Sequence, residues 1–565
     1  MNPAASSEEQ CGSRAEHVTA KAMSDAETTD SASGPAGVRG ASRAHSSLGN
    51  RRDPSAQPAS GKGRAYKPKV KSSGAQRESE GAVVLRRAVQ ENAAGGKGPC
   101  FGDASSGGKS EGMVRTAESK HPGGREPIDK VRRLQRKLYV AAERDRGRRF
   151  HALYDRIHRG DVLREAWERV RRRKGAGGVD GVTLAAVEEY GVERLLDELR
   201  DGLQAGKYRA PPVLRRYIPK ADGKLRPLGI PTVKDRIVQM AAKLVLEPIF
   251  EADFLPSSFG FRPRIGTLQA LETIRETVNA GWRQVLDADI RDYFGSIDQK
   301  LLLERVSRRV SDRRVLKLLR GWLRAGVMED GVYSETVSGT PQGGVISPLL
   351  SNIYLHYLDD VWERRCAQVG KLVRYADDFV VLCRTAKDVE EAERRIRIIF
   401  ERLKLTLHPE KTRRVDLTDG KEGFDFLGCH LRMRVSGKLL ERRGIRRYYL
   451  QRWPSSRSMK RVRSKLKELT DRRRQGVKDV RELIGTLNPV LRGWGNYFRT
   501  GNAARKFNQL DSYVYWRLHR FMAKRRGRNL RAGQADAWTR DWFLGHGLHR
   551  LRGTVRYPNP CTLHT

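Results

Sequence analysis

The sequence lacks the features that mark membrane or exported proteins. It has no apolar run that approaches the roughly 18 residues of a membrane-spanning helix. Its first residues, MNPAASSEEQCGS, lack the charged and then apolar order of an export signal. Its six cysteines are scattered without a CxxC pair, which is typical of reduced thiols rather than disulfides. These absences predict a cytoplasmic protein without a membrane partner.

Acidic residues are too few to balance the basic ones. The 565 residues include 111 Lys and Arg against 67 Asp and Glu, a formal net charge of +44. So large an excess opposes compaction of the chain alone and implies a polyanionic partner. Anionic membrane is one candidate, but the lack of long apolar runs favours nucleic acid.

The first 125 residues contain few aromatic side chains. Tyr66 and Phe101 are the two present, in a segment rich in Gly, Ala, Ser, Arg and Lys. Such a segment buries too little apolar surface to offset chain entropy, so we expect residues 1–125 to form a disordered basic extension. It is either an arm that touches RNA or a dispensable extension, and the sequence does not decide between them.

Ordered structure is expected from residue 126 onward. Short β-rich runs alternate with helical stretches between residues 226 and about 430, which indicates an α+β domain. Beyond residue 455 the pattern is strongly helical and basic.

Three acids occupy positions suited to metal chemistry. Asp377 and Asp378 are adjacent in RYADDFVVLC (374–383), and Asp289 ends a short apolar strand in VLDADIRDYFGSID (285–298). A tight hairpin turn would bring both neighbouring acids to a divalent cation. Three carboxylates on two Mg²⁺ ions make the two-metal arrangement for in-line nucleotidyl transfer. An adjacent acid pair by itself, however, more often marks a solvated turn.

The surroundings of these acids resemble group II intron reverse transcriptase–maturases of the bacterial type. Eight segments occur in the family's order: RRKGAGGVDGVT (172–183), YIPKADGKLRPLGIPTVKDRIVQ (217–239), FLPSSFGFRPRIGT (254–267), DADIRDYFGSID (287–298), SGTPQGGVISPLLSNIYLHYLD (338–359), RYADDFVVL (374–382), LKLTLHPEKT (403–412) and FDFLGCHL (424–431).

The resemblance implies a right-hand polymerase fold. Fingers and palm are expected in residues 126–435, a helical thumb in 436–480, and the maturase region (domain X) with a C-terminal tail in 481–565. The implied activity is RNA-directed DNA synthesis on the intron RNA, primed at a DNA target, with stabilisation of the folded RNA. Expected partners are therefore group II intron RNA, target and primer DNA, and dNTPs, and the expected location is the bacterial nucleoid.

The resemblance also implies a role for each matching position. Asp289, Asp377 and Asp378 match the catalytic ligands of two Mg²⁺ ions. The dNTP-binding positions are Lys220 and Arg226 in the fingers, Phe294 as an aromatic steric gate, Gln342 near the templating base and Lys411 near the triphosphate. Arg262 matches a template-backbone contact. Phe294 could instead be a core aromatic, and each cation a solvated surface charge.

The stretch 485–525 interleaves aromatic rings with Arg and Lys. Rings can stack on bases while cations neutralise phosphate, although most of these rings could equally form a helical core. The stretch resembles the family's maturase region, and we expect Arg492, Lys506, Arg517 and Arg520 to face RNA.

The tail holds His546-x-x-His549 and Cys561-x-x-His564, a spacing that superficially resembles a zinc site. We predict no zinc, because the sequence ends one residue after the last candidate ligand.

Many family members carry an HNH-type endonuclease after the maturase region. We expect it to be lacking here, because no CxxC pair follows residue 525.

Two other functions fit the sequence. One is an intron-derived reverse transcriptase recruited to defence or repair, although LRGWGNYF (491–498) argues against a retron-type enzyme. The other is a splicing-only RNA-binding maturase, against which the intact Asp289, Asp377 and Asp378 set argues. The sequence does not indicate an oligomeric state.

Overall fold

The computed structural model describes residues 126–557, apart from 220–224, 337, 341, 472–476 and 478. The predicted disorder of residues 1–125 concerns residues outside this range. The helices are α1 (Glu126–Arg144), α2 (Tyr154–Ile157), α3 (Gly160–Arg173), α4 (Leu184–Tyr190), α5 (Val192–Gln204), α6 (Val233–Glu251), α7 (Thr267–Asn279), α8 (Tyr293–Ser296), α9 (Gln299–Ser307), α10 (Arg313–Arg324), α11 (Ser347–Arg365), α12 (Ala386–Arg402), α13 (Gly437–Arg443), α14 (Ser456–Leu469), α15 (Val480–Phe498), α16 (Ala504–Arg526) and α17 (Arg540–Gly545).

The strands form three sheets, and the mixture of helix and sheet agrees with the predicted α+β class. The strands are β1 (Val213–Pro219), β2 (Leu225–Ile230), β3 (Gln284–Ala288), β4 (Val327–Glu329), β5 (Val332–Ser334), β6 (Lys371–Tyr375), β7 (Asp378–Cys383), β8 (Arg413–Asp416), β9 (Gly423–Phe426), β10 (Cys429–Val435) and β11 (Tyr448–Pro454). The strand orders are β2-β1-β4-β5, β6-β7-β3-β8 and β11-β10-β9.

The sheet β6-β7-β3-β8, which we call the palm sheet, lies between two hydrophobic cores. Phe379, Val381 and Cys383 on β7 join one core, while Val380 and Leu382 join the other. Successive side chains of a strand point to opposite faces, so the unbroken apolar run of β7 buries both faces of the sheet. A strand held from both sides is a rigid base for the acids at its end.

The first core is built mainly from the N-terminal helices and α11. Helix α6 is buried on nearly all sides and packs against α1 and α3. The side chain of Thr232, the residue before α6, accepts a hydrogen bond from the Asp235 amide and so caps the N-terminus of the helix. This core positions α11 against the palm sheet.

The second core joins the palm sheet to the C-terminal helices. It includes Phe424 of β9 and Leu431 of β10 together with apolar residues of α14, α15, α16 and α17. A buried ion pair crosses it, because Arg452 Nη1 lies 2.9 Å from Glu272 Oε2 of α7. The predicted boundary at residue 435 falls between β10 and β11, which pair with each other. We therefore propose that the thumb begins after β11, and the other domain limits stay proposals.

Candidate active site

The turn between β6 and β7 carries two of the three predicted acids. Tyr375 pairs with Asp378 across the hairpin, so Ala376 and Asp377 are the two turn residues. Ala376 has a φ of 60°, in the left-handed region that tight hairpin turns use. Asp377 is half-buried, and Asp378 is exposed at the first position of β7. The predicted tight hairpin is confirmed.

Asp289 reaches the same edge of the palm sheet from β3. Ala288 pairs with Phe379 of β7, and one further step in this antiparallel register places Asp289 opposite Asp378. The loop before β8 fixes this position, because the His408 amide donates to the Asp289 carbonyl at 2.8 Å. Asp289, Asp377 and Asp378, which we call the acid cluster, thus share one end of the sheet.

Two members of the acid cluster, Asp377 and Asp378, have raised pKa values. Desolvation raises the pKa of Asp377, and repulsion from Asp289 raises it further. The pKa of Asp378 is also raised, by desolvation first and then by Asp377, Asp289 and Asp287. The Asp378 side chain is exposed, so neighbouring carboxylates crowd a group that solvent still reaches. Bound cations are the usual source of the positive charge that such a cluster needs.

The acid cluster fits an open cation site better than a closed cage. Within the described residues, no group of three His, Cys, Asp or Glu side chains is arranged so that it could hold a metal ion. Lys411 Nζ instead lies 2.7 Å from Asp289 Oδ2 and supplies positive charge there. Mg²⁺ commonly takes one or two protein carboxylates and completes its shell with water and substrate phosphates. These carboxylates suit that kind of shared site.

Two of the predicted dNTP-binding cations lie near the acid cluster. Arg226 is on β2, and its charge lowers the pKa of Asp377 against the desolvation that raises it. Lys411 contacts Asp289 directly. Lys220 lies outside the described residues. Positive charge therefore approaches the cluster from β2 and from the loop before β8.

Phe294 packs as a core aromatic. It lies in α8, is 8% exposed and contacts the Tyr293 ring edge to face, with centroids 5.2 Å apart. Its carbonyl accepts a hydrogen bond from the Thr340 amide at 2.9 Å, and a Cβ on Gly339 would lie 2.6 Å from the same oxygen. These contacts tie Phe294 to the start of the GTPQGG loop. Its role as a steric gate stays a prediction.

The GTPQGG loop packs on β2. The Gln342 carbonyl accepts from the Gly229 amide at 2.7 Å, and a Cβ on Gly343 would lie 2.4 Å from the Gly229 carbonyl oxygen. Gln342 Oε1 is buried and has no hydrogen-bond partner within the described structure. A buried acceptor without a donor is costly. The predicted contact of Gln342 with nucleotide or template would satisfy it.

Arg262 lies in a different environment from the one predicted. Its side chain is 7% exposed, and its Nη2 lies 2.7 Å from Glu251 Oε1. Its Nη1 donates to the carbonyls of Leu255 and Ser258 at 2.7 and 2.8 Å. These bonds hold the loop after α6 in place, so the predicted template-backbone contact is not favoured by this placement.

The four predicted RNA-facing cations divide into two groups. Arg492 and Arg520 are exposed and Lys506 is half-buried. Arg517 instead donates to Thr470 Oγ1 at 2.9 Å and to the Thr470 carbonyl at 3.0 Å. It thereby satisfies backbone acceptors at the C-terminal end of α14, a structural contact that the sequence pattern does not reveal.

The aromatic rings of the same stretch divide in a similar way. Trp494 and Phe498 are buried in the second core, as the core alternative predicts. The Tyr497 hydroxyl donates to the Leu427 carbonyl at 2.7 Å. Trp516 is 62% exposed and is available for stacking.

In the tail, His546 packs on Trp542, with ring centroids 3.9 Å apart. The candidate ligands Cys561 and His564 lie outside the described residues.

Sequence patterns did not identify a buried charged pair next to the β6–β7 turn. Arg374, just before Tyr375, pairs with Asp359 of α11, and both side chains are 0% exposed. The available signal was an arginine within the otherwise buried part of β6. Its partner could not be chosen from the sequence, because several acids lie at comparable distances along the chain.

Comparison with known proteins identifies the family. Residues 218–431 match the reverse transcriptase (RNA-dependent DNA polymerase) family, and residues 459–538 match the group II intron maturase-specific domain. Protein YkfC of Escherichia coli (strain K12) is 37% identical over 340 residues, which cover 53% of this chain and 88% of that protein. The chain belongs to the group II intron reverse transcriptase–maturase family. It is an RNA-directed DNA polymerase and RNA-splicing maturase with a right-hand polymerase fold.

The chain is also similar to a further intron-encoded protein and to a chain of a solved complex. Group II intron-encoded protein LtrA of Lactococcus lactis subsp. cremoris is 29% identical over 455 residues, which cover 65% of this chain and 73% of that protein. A chain of the solved Cas6-RT-Cas1–Cas2 complex is 22% identical with a TM-score of 0.28, over 44% of this chain and 26% of that chain. No helix in the described part of the enzyme has the length and apolar character needed to cross a membrane.

Proposed function

We propose that Asp289, Asp377 and Asp378 are the catalytic carboxylates and share two Mg²⁺ ions with the substrates. The observation that carries this proposal is their convergence at one edge of the palm sheet, through the β6–β7 turn and the β3–β7 register. When bound, the cations would activate the primer 3′-hydroxyl and stabilise the leaving pyrophosphate. The raised pKa of Asp377 and Asp378 supports a site that requires added positive charge.

The basic side chains near the acid cluster bind and orient the incoming triphosphate. Arg226 and Lys411 offset phosphate charge as it shifts during transfer, and Lys220 joins them on the evidence of its motif. Lys411 is exposed and lies 2.7 Å from Asp289, so a phosphate oxygen can reach its ammonium group beside this carboxylate. Gln342 offers its unpartnered Oε1 to a donor on nucleotide or template.

Phe294 discriminates between deoxyribose and ribose by excluding the 2′-hydroxyl. Its buried ring packs against Tyr293, and its backbone carbonyl is fixed by the Thr340 amide of the GTPQGG loop, so the ring has a defined position from which to exclude a substituent. We expect Phe294→Val to increase ribonucleotide incorporation. The ratio of rNTP to dNTP use should be measured, because a ratio is insensitive to the folded fraction of the variant. An unchanged ratio would remove Phe294 from this role.

The maturase region binds the folded intron RNA. Exposed Arg492, Arg520 and Trp516, with half-buried Lys506, provide phosphate neutralisation and a stacking surface along α15 and α16. The DNA target supplies the primer, which places the enzyme at the bacterial nucleoid. The RNA performs splicing, and the protein stabilises its active fold.

Asp377→Ala separates the two activities. We expect it to abolish primer extension and to leave intron RNA binding nearly unchanged, because RNA affinity is spread over many cations. Filter binding and primer extension should be measured on the same preparation. Asp419→Ala is the matched control, since Asp419 is a surface acid outside the acid cluster and is 70% exposed. Equal loss of both activities in Asp377→Ala would contradict the assignment.

A further inference from the structure

The ion pair between Arg374 and Asp359 is completely enclosed. Arg374 Nε lies 2.8 Å from Asp359 Oδ1, and Nη2 lies 2.5 Å from Oδ2, with both side chains 0% exposed. Removing two charges from water costs several kcal/mol per ion unless good geometry and further hydrogen bonds compensate. Apolar side chains of similar volume commonly stabilise a buried position equally well. Stability alone therefore does not account for the pair.

The remaining donors of Arg374 show where that role lies. Its Nη2 donates to Ser258 Oγ at 2.7 Å, and its Nη1 donates to Asn352 Oδ1 at 3.2 Å and to the Ala376 carbonyl at 2.9 Å. With the two bonds to Asp359, all five N–H donors of the guanidinium are used. The bond to Ala376 reaches the catalytic turn directly.

The Ala376 carbonyl belongs to the peptide group that continues into Asp377. A peptide group is planar, so a fixed carbonyl also fixes the Asp377 nitrogen and Cα, the atoms from which its side chain leaves the turn. Ala376 needs such support because its φ of 60° is a conformation that non-glycine residues rarely adopt.

The turn also packs closely against Gly260. A Cβ on Gly260 would lie 2.3 Å from the Ala376 nitrogen, and the Gly260 carbonyl accepts from Asn352 Nδ2 at 2.8 Å. The Arg374 amide donates to the Ser257 carbonyl at 2.8 Å. Helix α11, the segment before Gly260 and β6 therefore meet at a single guanidinium.

We propose that Arg374, oriented by Asp359, is a positioning residue of the polymerase. It holds the Ala376–Asp377 peptide so that the Asp377 carboxylate points to the place where cations and primer meet. The inference rests on the proposed catalytic role of Asp377. It extends that role by naming the buried group that sets the direction of the carboxylate.

The test separates positioning from stability. In Arg374→Met with Asp359→Val, both charges are replaced by apolar groups, which commonly preserves stability, but the donor to Ala376 is lost. Arg374→Lys keeps a charge for Asp359 but lacks the planar fork that reaches several acceptors at once. The control is Arg309→Met, which removes a 6% exposed guanidinium that pairs with Asp253 far along the chain from the catalytic turn.

For each variant, kcat, KM for dNTP, template–primer affinity, the Mg²⁺ concentration at half-maximal rate and the melting temperature should be measured. We expect both Arg374 variants to lose kcat on the order of 10- to 100-fold, the loss that a misplacement of about 1 Å can cause. We also expect a higher Mg²⁺ requirement and unchanged template–primer affinity. Arg309→Met should lower the melting temperature without changing the Mg²⁺ requirement.

The possible outcomes are distinct. Wild-type kcat and Mg²⁺ requirement in the stable double variant would overturn the positioning role, as would full rescue by Arg374→Lys. If the double variant does not fold, Arg374→Lys decides alone by the same two measurements. If Asp377→Ala keeps primer extension, the proposed function fails whatever the Arg374 variants do.

Discussion

Replacing Asp377 by Asn should stabilise the cation-free protein while it removes polymerase activity. The half-buried carboxylate has a raised pKa because of desolvation and of repulsion from Asp289, which Arg226 and Arg374 only partly offset. Asn has nearly the same size and removes the charge. Each pKa unit between the folded and unfolded states corresponds to about 1.4 kcal/mol. Single stabilising substitutions commonly give about 0.5–2 kcal/mol, and we expect a gain in this range.

The gain should depend on pH with a definite sign. A raised folded-state pKa costs nothing below the unfolded value of 3.8, and the cost grows as pH rises until it is complete above the folded pKa. The advantage of Asp377→Asn should therefore be largest at alkaline pH and should disappear toward pH 4. Added Mg²⁺ should reduce the difference, because it stabilises the wild-type carboxylates by binding to the folded state.

Thermal unfolding in EDTA and in Mg²⁺, repeated across pH, measures this effect directly. A gain of 1 kcal/mol corresponds to about 2–4 °C for a domain of 150–250 residues. Primer extension on the same samples should show no activity for Asp377→Asn. If Asp377→Asn melts at a lower temperature than the wild type in EDTA at alkaline pH, the ionised Asp377 carboxylate does not destabilise the cation-free protein, and the reasoning is refuted.

Three further predictions concern the turn, the maturase helices and the basic surface. Gly260→Ala should abolish primer extension without abolishing RNA binding, because the Cβ of the alanine would lie 2.3 Å from the Ala376 nitrogen. Active-site titration of the folded protein checks this loss of primer extension. Arg517→Ala should cost about 1–3 kcal/mol in thermal unfolding, since it leaves the Thr470 acceptors unpaired, whereas Arg520→Ala should weaken RNA binding without a change in stability. Affinity for non-specific RNA should fall steeply with salt through counterion release, and a slope of one or two phosphate contacts would argue against a broad basic interface.

The sequence determined the class of the fold and predicted the candidate residues of the polymerase site. The acids of RYADD and VLDAD, the alternation of strands and helices, and the aromatic, basic C-terminal stretch are local patterns. Local patterns set hairpins, helix periodicity and the order of motifs, and these need no knowledge of distant contacts. The β6–β7 turn was predictable for this reason, as was the burial of Trp494 and Phe498 as one of two alternatives.

Tertiary structure alone decided what the individual cations do. Arg262, Arg374 and Arg517 are all arginines in functional-looking motifs, yet each has its guanidinium within the protein, on Glu251, Asp359 and the end of α14. Lys411 and Arg492, by contrast, keep exposed side chains. All five are basic residues, and the two groups differ in whether their charged ends lie within the protein or at its surface. Whether a cation serves RNA, nucleotide or the fold depends on which acceptors the packed chain brings within hydrogen-bond distance and whether water is excluded there, and both are set by contacts between segments far apart in sequence.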